Sequence, residues 1–182
     1  SYLSYYSKPA ISSTYNASDM CGPPANNAST FTRPGMIWTA EIDYSTAEIK
    51  ELKPGTKIYF QFGNNKSYSE MNSFTYGTKD QIHGTTSFIA YGDMGTFGDI
   101  DKNSTQEILA HIYDVDFVLH VGDISYARGY SKKWVNWFEE IAPVATKVPY
   151  HVCIGNHEYD YPKQIYKPWD WSYGKDSGGE CG

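Results

Sequence analysis

Three apolar runs in the second half of the chain each end with a glycine followed by a polar side chain. Each run is rich in the β-branched and aromatic residues that favour buried strands. They cover residues 87–93, 116–123 and 149–157. The segments between them, 103–113 and 132–142, have apolar residues at helical spacing, with Ser104 predicted to cap the first helix. The predicted buried face of the second helix consists of Trp134, Trp137, Phe138 and Ile141. The order strand, helix, strand, helix, strand predicts a largely parallel α/β sheet with right-handed crossovers.

Polar side chains follow all three predicted strands at the point where each strand ends. The first two runs end in Asp93 and Asp123, and the third ends in Asn156 and His157. The separations, 123 − 93 = 30 and 156 − 123 = 33 residues, each fit one strand and one helix. Ligand sites of open α/β sheets lie beyond the carboxyl ends of the strands, where these groups should meet. Carboxylate and amide oxygens suit hard metal ions, so the pattern predicts a metal site.

The first part of the chain consists of short β-rich runs separated by turn residues. The runs cover residues 36–38, 58–62 and 73–76, with Pro-Gly or Gly-Asn-Asn sequences between them. This spacing predicts a β-sandwich. Residues 52–59 resemble a turn and strand of a fibronectin type III domain, with Ile58 in the place of its corner tyrosine. We therefore expect a fibronectin III-like domain at 1–80, a linker at 78–86 and an α/β domain at 87–182.

Composition limits the partners and the cellular location. The net charge of −6 argues against nucleic-acid binding, and no apolar run of membrane-spanning length occurs. Four Asn-x-Ser/Thr sequons favour a secreted or vacuolar glycoprotein, although chance sequons in a cytosolic protein are the alternative. They begin at Asn16, Asn27, Asn65 and Asn103. On the secretory route Cys21 and Cys181 could pair, while the apolar surroundings of Cys153 in the sequence predict a buried thiol.

The segments that end the three strands resemble a known enzyme family. Residues 93–95 (Asp-Met-Gly), 122–127 (Gly-Asp-Ile-Ser-Tyr-Ala) and 155–158 (Gly-Asn-His-Glu) are similar to the first three signatures of the metallophosphoesterases. Gly95 stands where the superfamily has a histidine, and Tyr126 stands where purple acid phosphatases have a tyrosine. Residues 19–21 and 178–182 are similar to the larger plant-type purple acid phosphatases, which carry a fibronectin-like domain first. The chain is therefore interpreted as the N-terminal part of such a protein.

The resemblance implies a role for each matching residue. Asp93 and the Tyr126 phenolate would bind Fe(III), and Asp123 would bridge it to a second divalent metal, which is Fe, Zn or Mn. Asn156 would bind that second metal. His157 would face the phosphate and stabilise or protonate the leaving oxygen. The implied activity is acid phosphatase hydrolysis of small phosphoric monoesters, with a metal-bound hydroxide as the nucleophile.

Part of the implied site is missing from this sequence. The family supplies three more histidine ligands from later signatures, and no histidine follows His157. The chain alone is therefore expected to be inactive. A phosphodiesterase or nucleotide pyrophosphatase on the same scaffold and a non-catalytic docking relative are the alternatives, and a homodimer is possible. His120, His151 and Glu158 either support the site or serve packing and solvation, and the sequence leaves both readings open.

Overall fold

The N-terminal part of the chain forms two separate pairs of antiparallel strands. The computed structural model describes residues 6–43, 52–77, 84–96, 98–158 and 177–180. Strand β1 (Ile11–Ser13) pairs with β2 (Ile37–Thr39), and β3 (Lys57–Phe60) pairs with β4 (Asn72–Thr75). The three predicted strands of this part are confirmed to within two residues. The fibronectin III-like sandwich that would unite them stays a prediction, as does the division into two domains.

The second part is a three-stranded parallel sheet with a helix in each crossover. Its elements are β5 (Phe88–Tyr91), α1 (Asp99–Ala110), β6 (Phe117–Val121), α2 (Lys132–Ala145) and β7 (Tyr150–Cys153). The sheet order is β5-β6-β7, with Tyr91 opposite His120 and Val121 opposite Cys153. The predicted α/β architecture is confirmed. All three strands therefore end at the same edge of the sheet.

Both helices pack against one face of this sheet, because apolar side chains alternate along each strand and recur along each helix. One buried cluster joins this face to α1 and α2 and contains Ile108, Ile112, Val118 and Val144. A second lies nearer the carboxyl edge and contains Met94, Ile124, Trp137 and Ile141. The core therefore lies directly beneath the loops that leave the sheet.

The opposite face of the sheet is exposed in the described residues. Phe88 stacks on Phe117 there, with ring centroids 5.2 Å apart, and Phe88 remains 52% exposed. Cys153 is a free thiol on this face and is exposed, so the prediction of a buried thiol is wrong. The three residues of β7 after Tyr150 are all exposed, because β7 is an edge strand of the sheet and the described residues cover neither of its faces there. Cys21 is disulfide-bonded, and its predicted partner Cys181 lies outside the described residues.

The helix boundaries differ from the predicted ones. Helix α1 begins four residues before the predicted start, after Gly98, so Ser104 lies inside the helix and does not cap it. Helix α2 continues through Pro143 to Ala145 because Val144, 1% exposed, extends its buried face by one turn. Phe138 was predicted to share that buried face, and it is 60% exposed. No helix in the described ranges is long and apolar enough to span a membrane.

Candidate functional site

The loops that follow β5 and β6 are held together by hydrogen bonds at the carboxyl edge of the sheet. The Asp93 N–H donates to the Gly122 carbonyl at 3.2 Å, and the Gly95 N–H donates to the Ile124 carbonyl at 2.9 Å. The Thr96 hydroxyl donates to the Ser125 carbonyl at 3.2 Å. These bonds continue the strand pairing beyond the sheet. Two backbone bonds and one side-chain bond thus fix the loop after β5 against the loop after β6.

The side chains of Asp93, Asp123 and Tyr126 converge at the carboxyl edge of the sheet. The Tyr126 hydroxyl lies 2.8 Å from Asp93 Oδ1 and 3.1 Å from Asp123 Oδ2. All three residues have left-handed backbone conformations, with φ of 57°, 50° and 49°. Non-glycine residues seldom adopt this region, and such strain concentrates at functional sites. The backbone thus adopts an unfavourable conformation at the three residues whose side chains converge.

The loop after β7 completes the arrangement. The His157 N–H donates to Asp123 Oδ1 at 3.1 Å, and the His157 ring centroid lies 4.3 Å from that of Tyr126. A side chain at Gly155 would place its Cβ 2.2 Å from Asp123 Oδ1, so only glycine allows this approach. Asn156 lies between Gly155 and His157 in the same loop and is half-buried. All five residues singled out by the sequence therefore lie in three adjoining loops, and their metal and catalytic roles stay predictions.

Glu158 is a residue whose role the sequence left open. It is 2% exposed, and its carboxylate accepts the Ile124 N–H at 2.8 Å and the Gly155 N–H at 2.9 Å. The side chain therefore joins the loop after β6 to the loop after β7. The sequence signal was its position directly after Gly-Asn-His, but a carboxylate in a loop is normally solvated. Its burial is visible only in the folded chain.

The electrostatics of the site favour a cation between the two carboxylates. The pKa of Tyr126 is raised because of burial first, and then because its phenol donates to Asp93 and lies beside the negative charge of Asp123. The phenol proton therefore occupies the space between two anionic oxygens. Two carboxylates, a phenol and a nearby amide are hard oxygen donors, a set that fits hard metal ions. No three His, Cys, Asp or Glu side chains form a metal-binding group within the described residues.

A buried polar layer crosses the sheet beneath the site. His120 is 1% exposed, its Nδ1 lies 2.9 Å from the Tyr150 hydroxyl, and that hydroxyl also contacts the hydroxyl of Tyr91. The His120 ring stacks on Tyr91 with centroids 4.6 Å apart. Burial lowers the pKa of His120 to about 4. The ring is therefore a neutral packing element with a specific hydrogen bond. His151 lies on the exposed face, against the edge of Phe117.

Comparison with known proteins agrees with this geometry. Residues 82–179 match the family model described as calcineurin-like phosphoesterase. A relative named probable inactive purple acid phosphatase 9, from Arabidopsis thaliana, is 42% identical over 92% of this chain and 27% of its own length. Probable inactive purple acid phosphatase 27 from the same plant is 33% identical over 96% of this chain and 29% of its own length.

A solved structure shares the fold. The purple acid phosphatase isolated from yellow lupin (Lupinus luteus) seeds superimposes with a TM-score of 0.74 and 29% identity, over 95% of this chain and 31% of that protein. The chain thus spans less than a third of the length of these proteins. On the family match, the strand order and these relatives, the chain belongs to the calcineurin-like phosphoesterase family, and its relatives are purple acid phosphatases.

Proposed function

We propose that the protein containing this chain is a metal-dependent acid phosphatase that hydrolyses small phosphoric monoesters. The observation that carries the proposal is the Tyr126 hydroxyl within hydrogen-bond distance of both Asp93 and Asp123. A phenol held between two carboxylates presents three oxygen donors to one point. This is the arrangement that the Gly95 and Tyr126 pattern implies.

In this proposal the chain supplies part of a binuclear site. Asp93 and Tyr126 would hold Fe(III), Asp123 would serve both this ion and a second divalent ion, and Asn156 would hold the second ion. When bound, the metals would neutralise the phosphate charge and acidify a water molecule that attacks phosphorus. The phenol must lose its proton to become a ligand, so metal binding releases a proton and weakens as the pH falls.

His157 is assigned the leaving-group role in the same proposal. Its backbone N–H is held by Asp123, and its ring lies against the ring of Tyr126. The ring is therefore kept beside the proposed ligands. A half-buried imidazole there can stabilise the leaving oxygen or give it a proton.

Two other functions have support among the relatives. Several carry the name probable inactive purple acid phosphatase, which favours a non-catalytic docking role. A barley (Hordeum vulgare) relative, named nucleotide pyrophosphatase/phosphodiesterase, is 35% identical over 52% of this chain and 27% of its own length. The presence of all five assigned residues favours an enzyme over a docking relative, and the choice of substrate in the test below separates a phosphatase from a phosphodiesterase.

The test compares substrates and two histidine variants in the protein expressed from its complete reading frame and supplied with Fe(III) and Zn(II) or Mn(II). We expect hydrolysis of p-nitrophenyl phosphate at acidic pH to exceed that of bis(p-nitrophenyl) phosphate and of ATP. His157→Ala should lower kcat about 10²- to 10⁴-fold with unchanged metal content, whereas His111→Ala, at an exposed position directly after α1, should not lower it. Loss of metal from the His157 variant would make His157 a ligand and refute its assigned role. Residues 1–182 alone should show no turnover.

The proposal places the protein in the secretory route, as a secreted or vacuolar glycoprotein, and the homodimer stays a prediction. Asn65 supports this location because it stands at the tip of an exposed turn. Within that turn Asn64 Oδ1 accepts the N–H groups of Lys66 at 2.8 Å and Ser67 at 3.2 Å. The turn thereby presents the Asn65 side chain to an oligosaccharide-transferring enzyme.

A further inference from the structure

The segment 177–180 links two parts of the chain that are distant in sequence. The N–H groups of Cys21 and Gly22 donate to the Gly179 carbonyl at 2.9 and 3.2 Å, and the Ala25 N–H donates to the Gly178 carbonyl at 3.0 Å. We call residues 21–25 and 177–180 together the collar. Both halves of the collar lie on the loop that follows Tyr126.

The contact between the collar and this loop is backbone against backbone. A Cβ added at Gly178 would lie 2.2 Å from the carbonyl of Arg128. One added at Gly129 would lie 2.6 Å from the Gly178 oxygen and 2.8 Å from the Ala25 nitrogen. Glycine at both positions is therefore a steric requirement of the close contact. Because the backbones of the collar and the loop are this close, the loop backbone is held in one conformation.

Glu180 is the side chain that joins the collar to the loop. One carboxylate oxygen accepts the Gly129 N–H at 3.1 Å, and the other accepts the indole N–H of Trp134 at 3.1 Å. Gly129 belongs to the loop, and Trp134 belongs to the first turn of α2. The two carboxylate oxygens therefore join the loop after Tyr126 to the start of α2. Hydrogen bonds to a carboxylate are among the stronger ones in proteins.

The loop needs such an anchor because its backbone is strained. Tyr126 and Arg128 both adopt left-handed conformations, with φ of 49° and 52°. Such conformations persist only where the surroundings hold them. Lys133 Nζ donates to the Tyr126 carbonyl at 3.2 Å on one side, and Glu180 holds Gly129 on the other.

We propose that Glu180 is a positioning residue for Tyr126. It holds the loop 126–129 in the strained path that directs the phenol at Asp93 and Asp123. The part of this inference that concerns metal rests on the proposed function, in which Tyr126 is a ligand. The part that concerns the loop depends on the fold alone.

Backbone hydrogen exchange of the protein expressed from its complete reading frame, without added metal, tests the loop. Glu180→Gln keeps the size of the side chain and removes its charge, and Glu139→Gln on the exposed surface of α2 is the matched control. We expect exchange at residues 127–131 to become about 10- to 100-fold faster in the Glu180 variant and to be unchanged in the control. Trp134→Phe removes one donor and leaves the Gly129 bond, so its effect should be smaller. Equal exchange in the Glu180 and Glu139 variants would overturn the inference.

Fe(III) titration of the protein expressed from its complete reading frame tests whether the hydrogen bonds of Glu180 affect the Tyr126 phenol. We expect a visible phenolate-to-iron absorption that Tyr126→Phe abolishes. Glu180→Gln should retain a weaker or shifted band and lower the apparent Fe(III) affinity about 10-fold, as the loss of one charge-assisted anchor implies. An unchanged band and affinity beside faster exchange would refute the positioning role. A wild-type chain without any band would instead refute the proposed metal role of Tyr126, while the exchange result would still decide the role of Glu180 in the loop.

Discussion

Acidification should destabilise the fold through His120. The ring is buried between the sheet and α2, its Nδ1 lies 2.9 Å from the Tyr150 hydroxyl, and its centroid lies 5.9 Å from that of Trp137. Burial lowers the pKa of His120 to about 4, although the Asp123 backbone and the charges of Asp93 and Asp123 act in the opposite direction. In the unfolded chain the same ring has a pKa near 6.5.

The sign and size of the effect follow from this difference in pKa. Between pH 6.5 and pH 4 the unfolded chain binds a proton that the folded chain excludes, so the free energy of unfolding falls as the pH falls. The stability that a neutral His120 contributes is complete above about pH 6.5 and is lost toward pH 4. Each pKa unit corresponds to about 1.4 kcal/mol, which gives about 3 kcal/mol in total. That is a large share of the 5–15 kcal/mol typical of a domain.

Two measurements in metal-free buffer check this prediction. NMR titration of the histidine rings should show His120 neutral down to about pH 4. Urea unfolding between pH 7.5 and pH 4.5 should show a smaller loss of stability in His120→Phe, which keeps an aromatic ring and cannot titrate, than in the wild-type chain. A His120 signal that titrates near pH 6.5, or equal losses in the two proteins, would show that the ring is not desolvated.

Two further predictions concern single side chains. Glu158→Gln should lower the free energy of unfolding by about 2–4 kcal/mol, because two backbone N–H groups lose a shared carboxylate. The control Glu107→Gln, on the exposed side of α1, should change it by less than about 0.5 kcal/mol. Equal urea midpoints for the two variants would argue against the Glu158 bridge. On secretion from a eukaryotic host, Asn65→Gln should remove the mass of one glycan. Asn103→Gln should not, because Asn103 lies inside α1 and the hydroxyl of Thr105 in its sequon is buried; a mass loss in the Asn103 variant would contradict this.

The convergence of the site could be predicted because it depends on topology alone. Alternating strand and helix patterns imply a parallel sheet, and a parallel sheet brings its carboxyl ends to one edge. Asp93, Asp123 and Asn156 were therefore placed in neighbouring loops from their position after each strand. The left-handed backbone of the two aspartates could not be predicted, since it arises from contacts between loops.

The errors have a common physical origin in burial that depends on distant contacts. Cys153 and Phe138 occur in apolar segments, yet each projects from a face that the described residues leave uncovered. Glu158 looks like a loop residue, yet it is buried by two loops that its own carboxylate joins. Local sequence fixes the period of an element. Which face of a strand or helix is buried depends on the distant segments of the chain that pack against it.

The N-terminal residues also contribute more to the site than the pattern of their sequence indicates. The division into 1–80 and 87–182 assigns them to a structural or docking module. The Thr32 N–H nevertheless donates to Ser131 Oγ at 2.6 Å, and that hydroxyl donates to the Thr32 carbonyl at 3.0 Å. Ala25, 2% exposed, packs in the collar. Because Ser131 immediately precedes α2 and ends the loop that carries Tyr126, these contacts hold the loop at its far end, while Glu180 holds its middle. The strained path of the proposed phenolate ligand therefore depends on two segments that lie about 100 and 50 residues away in sequence, and neither segment contains a metal-binding motif.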